Sequence, residues 1–251
     1  AACHVHEKLK NFPSAFSYLY INISSHATFT NYLSSGTWFS FSPIKGFDYY
    51  EPRTAGRYYV NPVWFIIGSY FSSDYRKAFA LDGTINYGVN NNEKNRYYFS
   101  YSLGPRLRLN TKLLLVYNFS EDFSKNNVGF AAFSSDTIVF GKRELTTYTN
   151  RLEAGYIFSR TMSLSFRMRH YWSTAAYKSF HNLEMDGTLA PSSYSSNKDI
   201  SFTKFNIDLV FTWQFSPGSE MSFVWKNAIY TNGDVILKHF SNDIDETINS
   251  P

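Results

Sequence analysis

The segment FNIDLVFTWQFSPGSEMSFVWK, residues 205–226, alternates apolar and polar side chains on both sides of a Ser-Pro-Gly-Ser interruption. Because successive side chains of a strand point to opposite faces, this period of two predicts two β-strands joined by a tight turn. The apolar positions of this hairpin are Ile207, Leu209, Phe211, Trp213, Phe215, Met221, Phe223, Trp225 and Ile229. An apolar face of this width needs either a second sheet or lipid packed against it.

The same alternation recurs along the chain and predicts about ten strands, with an extra short pair around residues 128–133 and 137–141. Tight turns are predicted at 72–76, 110–111, 159–161 and 216–219, and longer polar connections at 90–95, 121–147 and 174–204. Short turns at one end and long loops at the other are typical of outer-membrane barrels, with the loops facing outward.

The charged side chains decide between a second sheet and lipid. Those that fall on the polar positions of the predicted strands are Asp82, Arg106, Arg108, Arg151, Glu153, Arg167, Arg169, Asp208 and Lys226. This separation matters because a Lys or Arg facing lipid at the membrane midplane costs about 2 to 4 kcal/mol. His170 is the exception: it shares parity with Met168 and Trp172, and we expect it near a strand end. The pattern predicts an all-β, antiparallel transmembrane outer-membrane β-barrel of about 12 to 16 strands when complete.

Composition narrows the class further. The chain has 251 residues, of which 20% are aromatic and only 18% charged, and no apolar run approaches the roughly 18 residues that a spanning helix needs. The absence of such a run excludes a helical membrane protein. The net charge of +4 is spread along the chain, which argues against a nucleic-acid partner, and the single cysteine rules out an internal disulfide framework. A soluble β-sandwich, with the arginines as ordinary surface residues, stays open as an alternative.

The expected organisation has three parts: an N-terminal segment at 1–13, barrel strands at 14–230, and an outer loop at 231–251 with the closing strand still to follow in a longer parent protein. We expect the partners to be lipid and lipopolysaccharide of a Gram-negative outer membrane, with other envelope proteins as a further hypothesis. No cofactor is expected.

Three segments carry a family resemblance: residues 205–226, MSLSFRMRHYWS at 162–173 and YEPRTAGRYYVNP at 50–62. From about Phe29 onward the chain resembles the C-terminal region of a family of uncharacterised Gram-negative outer-membrane proteins. Members typically carry an N-terminal domain similar to family-nine carbohydrate-binding modules, followed by a large barrel that is a domain of unknown function. The resemblance implies a location and an architecture, and a link to glycans, but no established activity.

Three groups of side chains are candidate sites. Arg151, Glu153, Arg167, Arg169 and Asp208 are expected to meet inside the barrel, either as a charged constriction that selects anionic or sugar-like solutes or as a salt-bridged ladder that fills the interior. Arg106, Arg108 and Lys112 crowd a tight turn and form a candidate periplasmic rim. Tyr50, Glu51, Arg53 and Arg57 belong to a shaped loop that is either a plug or a surface loop.

Catalysis and metal binding are weaker hypotheses. An outer-membrane hydrolase would place a serine beside His170 on the outer face, and Ser163 and Ser165 have the opposite parity. Cys3, His4 and His6 form a C-H-x-H cluster, but a structural zinc site wants four ligands, so we expect an unstructured end without metal there. The sequence therefore predicts a pore or solute channel rather than an enzyme. A non-conducting anchor or subunit of an envelope assembly is the alternative, and a hydrolase the further one.

Overall fold

A computed structural model describes residues 2–8, 15–91 and 95–233, with the backbone alone for 2–8, 231 and 233. It is built of β-strands, which run as follows: β1 (Ala2–Lys8), β2 (Ala15–Thr28), β3 (Ser34–Ser42), β4 (Gly46–Asp48), β5 (Tyr59–Asn61), β6 (Trp64–Ser72), β7 (Phe79–Asn90), β8 (Tyr97–Arg108), β9 (Leu113–Ser134), β10 (Thr137–Ser159), β11 (Met162–Leu183), β12 (Leu189–Pro191), β13 (Ile200–Ser216) and β14 (Ser219–Gly233). Within these ranges, none of the chain forms a helix able to cross a membrane.

The strands form one large antiparallel sheet in the order β1-β2-β3-β6-β7-β8-β9-β10-β11-β13-β14, with β12 paired to β11. Strands β4 and β5 form a separate hairpin within the connection from β3 to β6. The predicted all-β antiparallel architecture is therefore correct. Over the described residues the sheet is open, because β1 and β14 each pair with a single neighbour, so a closed barrel is not seen.

All the connections at one end of the sheet are short. They are 29–33, 73–78, 109–112, 160–161 and 217–218, and the last four lie where the sequence predicts them. At the opposite end lie the long connections 43–63 and 184–199, together with the two-residue turn 135–136. The predicted loops at 121–147 and 174–204 are wrong in part, since β9, β10 and β11 continue through much of both. The tail at 234–251 and residues 92–94 of the predicted loop at 90–95 lie outside the described residues.

Strands β9, β10 and β11 are 22, 23 and 22 residues long, whereas β7 and β8 have 12 each. A membrane-crossing strand needs about 9 to 11 residues. The surplus, which we call the extension, comprises 125–134, 137–147 and 174–183. Bulges in the pairing between 139 and 145 shift the alternation there. The predicted short pair at 128–133 and 137–141 lies in the paired ends of β9 and β10. The bulges interrupt the period of two, and this is why the sequence pattern predicted a loop around that pair.

The buried apolar core lies in the extension rather than in the middle of the sheet. Its members are Tyr59, Val128, Ile138, Phe140 and Leu183, with Phe130 and Leu189 packed against them. Adjacent residues Val139 and Phe140 are both 0% exposed, so both faces of β10 are covered at this point. Elsewhere one face of the sheet carries many exposed large apolar side chains, although Trp172 on that face is only 5% exposed.

That face carries continuous rows of apolar side chains that cross the strands in register. One row runs through Ile23, Phe39, Ile67, Tyr87, Phe99 and Phe123, and another through Leu115, Ala154, Phe166, Leu209 and Trp225. Ile67 is 46% exposed and Trp225 is 53% exposed. We call this surface the apolar face, and the opposite surface the polar face.

The N-terminal residues give a second correction. Sequence reasoning expected an unstructured end, whereas Ala2–Lys8 pairs with Asn22–Ala15 as β1. The side chains of Cys3, His4 and His6 fall outside the described part of the chain. The apolar residue Val5 is flanked by polar neighbours in a run too short to show a period of two, so the sequence signal for this strand is weak.

Candidate functional site

A ladder of charged side chains crosses the polar face near the short-turn end. Glu153 on β10 pairs in register with Arg167 on β11, which pairs with Asp208 on β13, which in turn pairs with Lys226 on β14. One step along the strands, Arg151 pairs with Arg169. We call these six residues the charged ladder. It contains all five residues of the predicted constriction and adds Lys226.

Glu153 holds the centre of the charged ladder. Its Oε1 accepts hydrogen bonds from Arg151, at 2.5 Å from Nη2, and from Arg167, at 2.7 Å from Nε. Arg169 reaches diagonally to Asp208, with Nη1 3.8 Å from Oδ2. The three arginine side chains are 45–46% exposed, so the ion pairs are open to solvent. Opposite charges directly across neighbouring strands stabilise this register.

The charge of the ladder is unbalanced. It carries four cations and two carboxylates, so its net charge is +2. A groove of about 370 Å³ lies over it, and Leu114, Val116 and Val210 line the groove beside the charged groups. Apolar walls next to charges focus the field, so this part of the polar face attracts anions.

The candidate rim residues lie at the short-turn end but do not form one cluster. Arg106 packs over the ring of Tyr75, with Cζ 5.1 Å from the ring centroid. Lys112 donates a hydrogen bond from Nζ to the Phe158 carbonyl oxygen at 3.3 Å. Arg108 and Lys112 both line an open groove along the turn at 109–112. Their contacts are with the neighbouring turns, and they lie apart from the charged ladder.

Residues 43–63, which we call the cross-segment, contain the β4-β5 hairpin and the four candidate plug residues. Glu51 Oε1 accepts a hydrogen bond from the Phe130 backbone N–H at 2.7 Å. Arg53 lies over the Phe130 ring at 4.2 Å, and Arg57 donates from Nη2 to the Leu183 carbonyl oxygen at 2.6 Å. Tyr50 points to solvent and is 63% exposed. Three of the four residues therefore attach this segment to the extension.

The opposite side of the cross-segment contacts β2. Ser17 Oγ donates to the Phe47 carbonyl oxygen at 3.0 Å, and the Tyr49 hydroxyl donates to the Phe16 carbonyl oxygen at 3.1 Å. Burial raises the pKa of the Tyr49 phenol, and the neighbouring Tyr58 phenol raises it further. Tyr49 therefore stays protonated and keeps donating this bond across the neutral pH range.

The sheet has to curve for both sets of contacts to exist. From β2 to β10 there are six steps in the sheet order, which would span about 29 Å in a flat sheet. Phe47 contacts β2, its neighbour Asp48 pairs with Tyr59, and the Tyr59 ring lies 5.3 Å from that of Phe140. A single hairpin fills this gap. The cross-segment consequently lies between distant strands at the long-connection end of a curved sheet.

His170 differs from the sequence expectation. It lies in the middle of β11 rather than near a strand end, and it is only 2% exposed. Its register partners are Asn150 and Phe205, and Asn150 Nδ2 lies 3.4 Å from His170 Nδ1. Tyr117 donates from its hydroxyl to Asn150 Oδ1 at 2.6 Å. Large neighbours and a polar partner explain how an imidazole is accommodated on the apolar face.

Sequence reasoning missed a second polar group on the apolar face. Glu121 accepts hydrogen bonds from the hydroxyls of Tyr101, at 2.9 Å, and Tyr148, at 3.1 Å. Both carboxylate oxygens are engaged, which offsets the cost of placing a charge among aromatic side chains. The sequence placed Glu121 at the start of a loop. The apolar side chains at 113, 115, 117, 119 and 123, all of one parity with Glu121, were the available signal that it belongs to β9.

Comparison with known proteins identifies a family for the chain. No curated protein and no solved structure matches the chain. A family model described as a domain of unknown function, DUF5916, matches residues 1–251, which is the whole chain. This agrees with the resemblance to an uncharacterised domain that the sequence motifs suggested. The chain belongs to the DUF5916 family.

Proposed function

We propose that this chain is part of a β-barrel in the outer membrane of a Gram-negative bacterium and that the barrel is a channel for small solutes with a preference for anions. The apolar face contacts lipid, and the polar face lines the interior. The charged ladder is the constriction, and the cross-segment covers the outward-facing mouth. The family resemblance adds a link to glycan handling.

The observation that carries the proposal is the opposite chemistry of the two faces. Large apolar side chains are left uncovered on one face, among them Ile85 at 51% and Phe223 at 60% exposed. The charged ladder lies on the other face of the same strands. An exposed apolar surface of this extent on a monomer calls for a partner, and lipid suits a face on which apolar rows run across many strands.

The charged ladder supports an anion preference. Its net charge of +2 would lie in a confined, water-filled passage with apolar side chains beside it. Rings of charged side chains set selectivity in pores because they raise the local concentration of the opposite charge. Removing two arginines would bring the net charge of the ladder to zero.

Single-channel recording of the full-length protein in a planar bilayer tests this function. We expect steady conductance with an anion preference, and we expect Arg167→Ala plus Arg169→Ala to abolish most of that preference. Lys178→Ala plus Lys198→Ala removes the same charge outside the ladder and should leave the preference unchanged. Insertion without conductance, both in the wild type and in a variant lacking residues 46–61, would contradict the channel. An equal loss of preference in both double variants would contradict the position of the constriction.

A non-conducting anchor is the second candidate, and the cross-segment favours it. This segment is attached on both sides, through Ser17 and Tyr49 toward β2 and through Glu51 and Arg57 toward the extension. A segment fixed in this way would block passage unless it moves. Insertion with no current, in wild type and in a variant lacking residues 46–61, would favour the anchor over a gated channel.

A further inference from the structure

A cavity of about 460 Å³ lies where the cross-segment meets the extension. Its lining residues come from five separate parts of the chain: Lys45, Tyr59, Val60, Pro62, Val63, Asn91, Lys142, His181, Thr188, Leu189 and Pro191. A volume of this size falls within the usual range for small-molecule sites, about 300 to 1,000 Å³. The walls are therefore held together by tertiary contacts and form a defined concave surface.

Two lysines line the cavity, and they come from different elements. Lys45 precedes β4 in the cross-segment, and Lys142 lies on β10 in the extension. Neither ammonium group has an ion pair or hydrogen bond with another residue in the part of the chain that the structure describes. The lining residues of the cavity thus carry a formal charge of +2, and the lining contains no carboxylate to offset it.

Two carboxylates close to the cavity in sequence form hydrogen bonds with other groups. Asp48 accepts from the backbone N–H groups of Tyr50 and Glu51, at 2.8 and 2.9 Å. Asp186 accepts from both the backbone and the hydroxyl of Thr188, and these bonds lower the pKa of its carboxyl.

Two further carboxylates on neighbouring elements are also engaged. Glu51 binds the Phe130 backbone N–H at 2.7 Å, and Glu144 pairs with Lys178 at 3.2 Å. None of these four acidic groups is therefore available to neutralise the two lysines of the cavity.

The rest of the lining suits an organic ligand rather than a bare ion. Tyr59, Val63 and Leu189 offer an aromatic ring and aliphatic side chains, while Asn91 and Thr188 offer hydrogen-bonding groups. Tyr59 is fixed by its contact with Phe140 and by a hydrogen bond from Arg96 to its hydroxyl at 3.1 Å. A fixed apolar wall beside two ammonium groups matches a ligand with an anionic group and a compact apolar body.

We propose that this cavity binds a small organic anion, one bearing a phosphate or carboxylate group, with the charge held between Lys45 and Lys142. The site is distinct from the charged ladder, which lies near the opposite end of the sheet. It lies at the mouth that the cross-segment covers. Because Lys45 belongs to that segment and Lys142 to the extension, a bound anion joins the two and holds them together.

Isothermal titration of the detergent-solubilised full-length protein tests the site, and it does not depend on conduction. The probes are phenyl phosphate, benzyl alcohol as a neutral counterpart of similar size, and inorganic phosphate. We expect phenyl phosphate to bind most tightly, because only it has both the charge and the apolar body. Its affinity should fall as NaCl is raised, since exposed charges are screened.

Variants locate the site. Lys142→Gln and Lys45→Gln should each weaken phenyl phosphate binding about tenfold or more, as expected for loss of a charge-assisted hydrogen bond. Lys198→Gln removes the same charge from the connection at 184–199, outside the cavity lining, and should bind as wild type. Circular dichroism of each variant checks that the sheet is intact. No binding of phenyl phosphate, equal binding of benzyl alcohol, or equal loss in Lys198→Gln would overturn the proposal.

Discussion

At the scale of single residues, aromatic side chains of β3 and β6 pack over glycines of the neighbouring strand. Trp38 lies directly over Gly68, its register partner on the neighbouring strand, so a Cβ at this position would overlap the indole ring. Tyr70 covers Gly36 in the same way. A glycine opposite a large ring lets the ring lie flat on the sheet, and the ring in turn shields the weakened strand.

We therefore expect Gly68→Ala to destabilise the protein by about 1 to 3 kcal/mol, the usual cost of overpacking. Gly155→Ala is the matched control, because a Cβ on this strand glycine would meet nothing within 4 Å. That control should stay within about 0.5 kcal/mol of wild type. Denaturant unfolding in lipid vesicles measures both variants. Equal free-energy changes at the two positions would contradict the packing of Trp38 on Gly68.

Single residues also show what the sequence could and could not reveal. The alternation placed Arg151, Glu153, Arg167, Arg169 and Asp208 on one face, and the register brings them together as expected. It could not reveal the diagonal pairing of Arg169 with Asp208, because side-chain reach depends on the register of three strands. It also could not reveal Lys142 as a cavity residue, since the bulges around it hide the strand.

At the scale of elements, the cross-segment and the extension depend on each other. The extension is the part of β9, β10 and β11 beyond the length that a membrane-spanning strand requires, and the core formed with Tyr59 covers it. In return, the cross-segment is attached by polar groups to backbone atoms: Glu51 to the Phe130 N–H, and Arg57 to the carbonyl oxygens of Leu183 and Glu184. Charged groups bound to backbone atoms contribute about 1.5 to 3 kcal/mol each.

Removing both attachments should release the cross-segment. We expect Glu51→Ala plus Arg57→Ala to raise the rate of tryptic cleavage after Arg53 about 100-fold. Trypsin cleaves the locally opened segment, and losing about 3 kcal/mol of local stability raises the population of that opened state by about this factor. Tyr50→Ala is the control, since this side chain is 63% exposed and makes no attachment to the extension. Cleavage of the double variant at the wild-type rate would show that these bonds do not hold the segment.

At the scale of the whole molecule, the period of two predicted the all-β class and the antiparallel order. In long regular strands the residues of the two faces alternate along the sequence, so the pattern can be recognised directly. The fold of residues 43–63 across the sheet did not follow. Its contacts join residues more than a hundred positions apart, such as Arg57 and Leu183. Loop positions of this kind are set by tertiary contacts, and no local pattern encodes them.

The curvature of the sheet and the opposite chemistry of its faces are the basis of the proposed membrane location. Strand β7 lies well inside the sheet, between β6 and β8. Because it is not an edge strand, the exposure of its side chains reports the environment of the two faces of the sheet. On this strand Ile85 and Tyr87 are 51% and 46% exposed on the apolar face, and Thr84 and Asn86 occupy the polar face.

The most direct test is electron paramagnetic resonance of nitroxide labels at positions 84, 85, 86 and 87, each introduced as a cysteine in a Cys3→Ser background and reconstituted in lipid vesicles. We expect the accessibility of the labels to oxygen and to the nickel chelate to alternate along β7. Labels at 85 and 87 collide mainly with oxygen dissolved in lipid, and labels at 84 and 86 mainly with a water-soluble nickel chelate. Access of the nickel chelate to 85 and 87 equal to its access to 84 and 86 would contradict a lipid-facing sheet, and with it the membrane location.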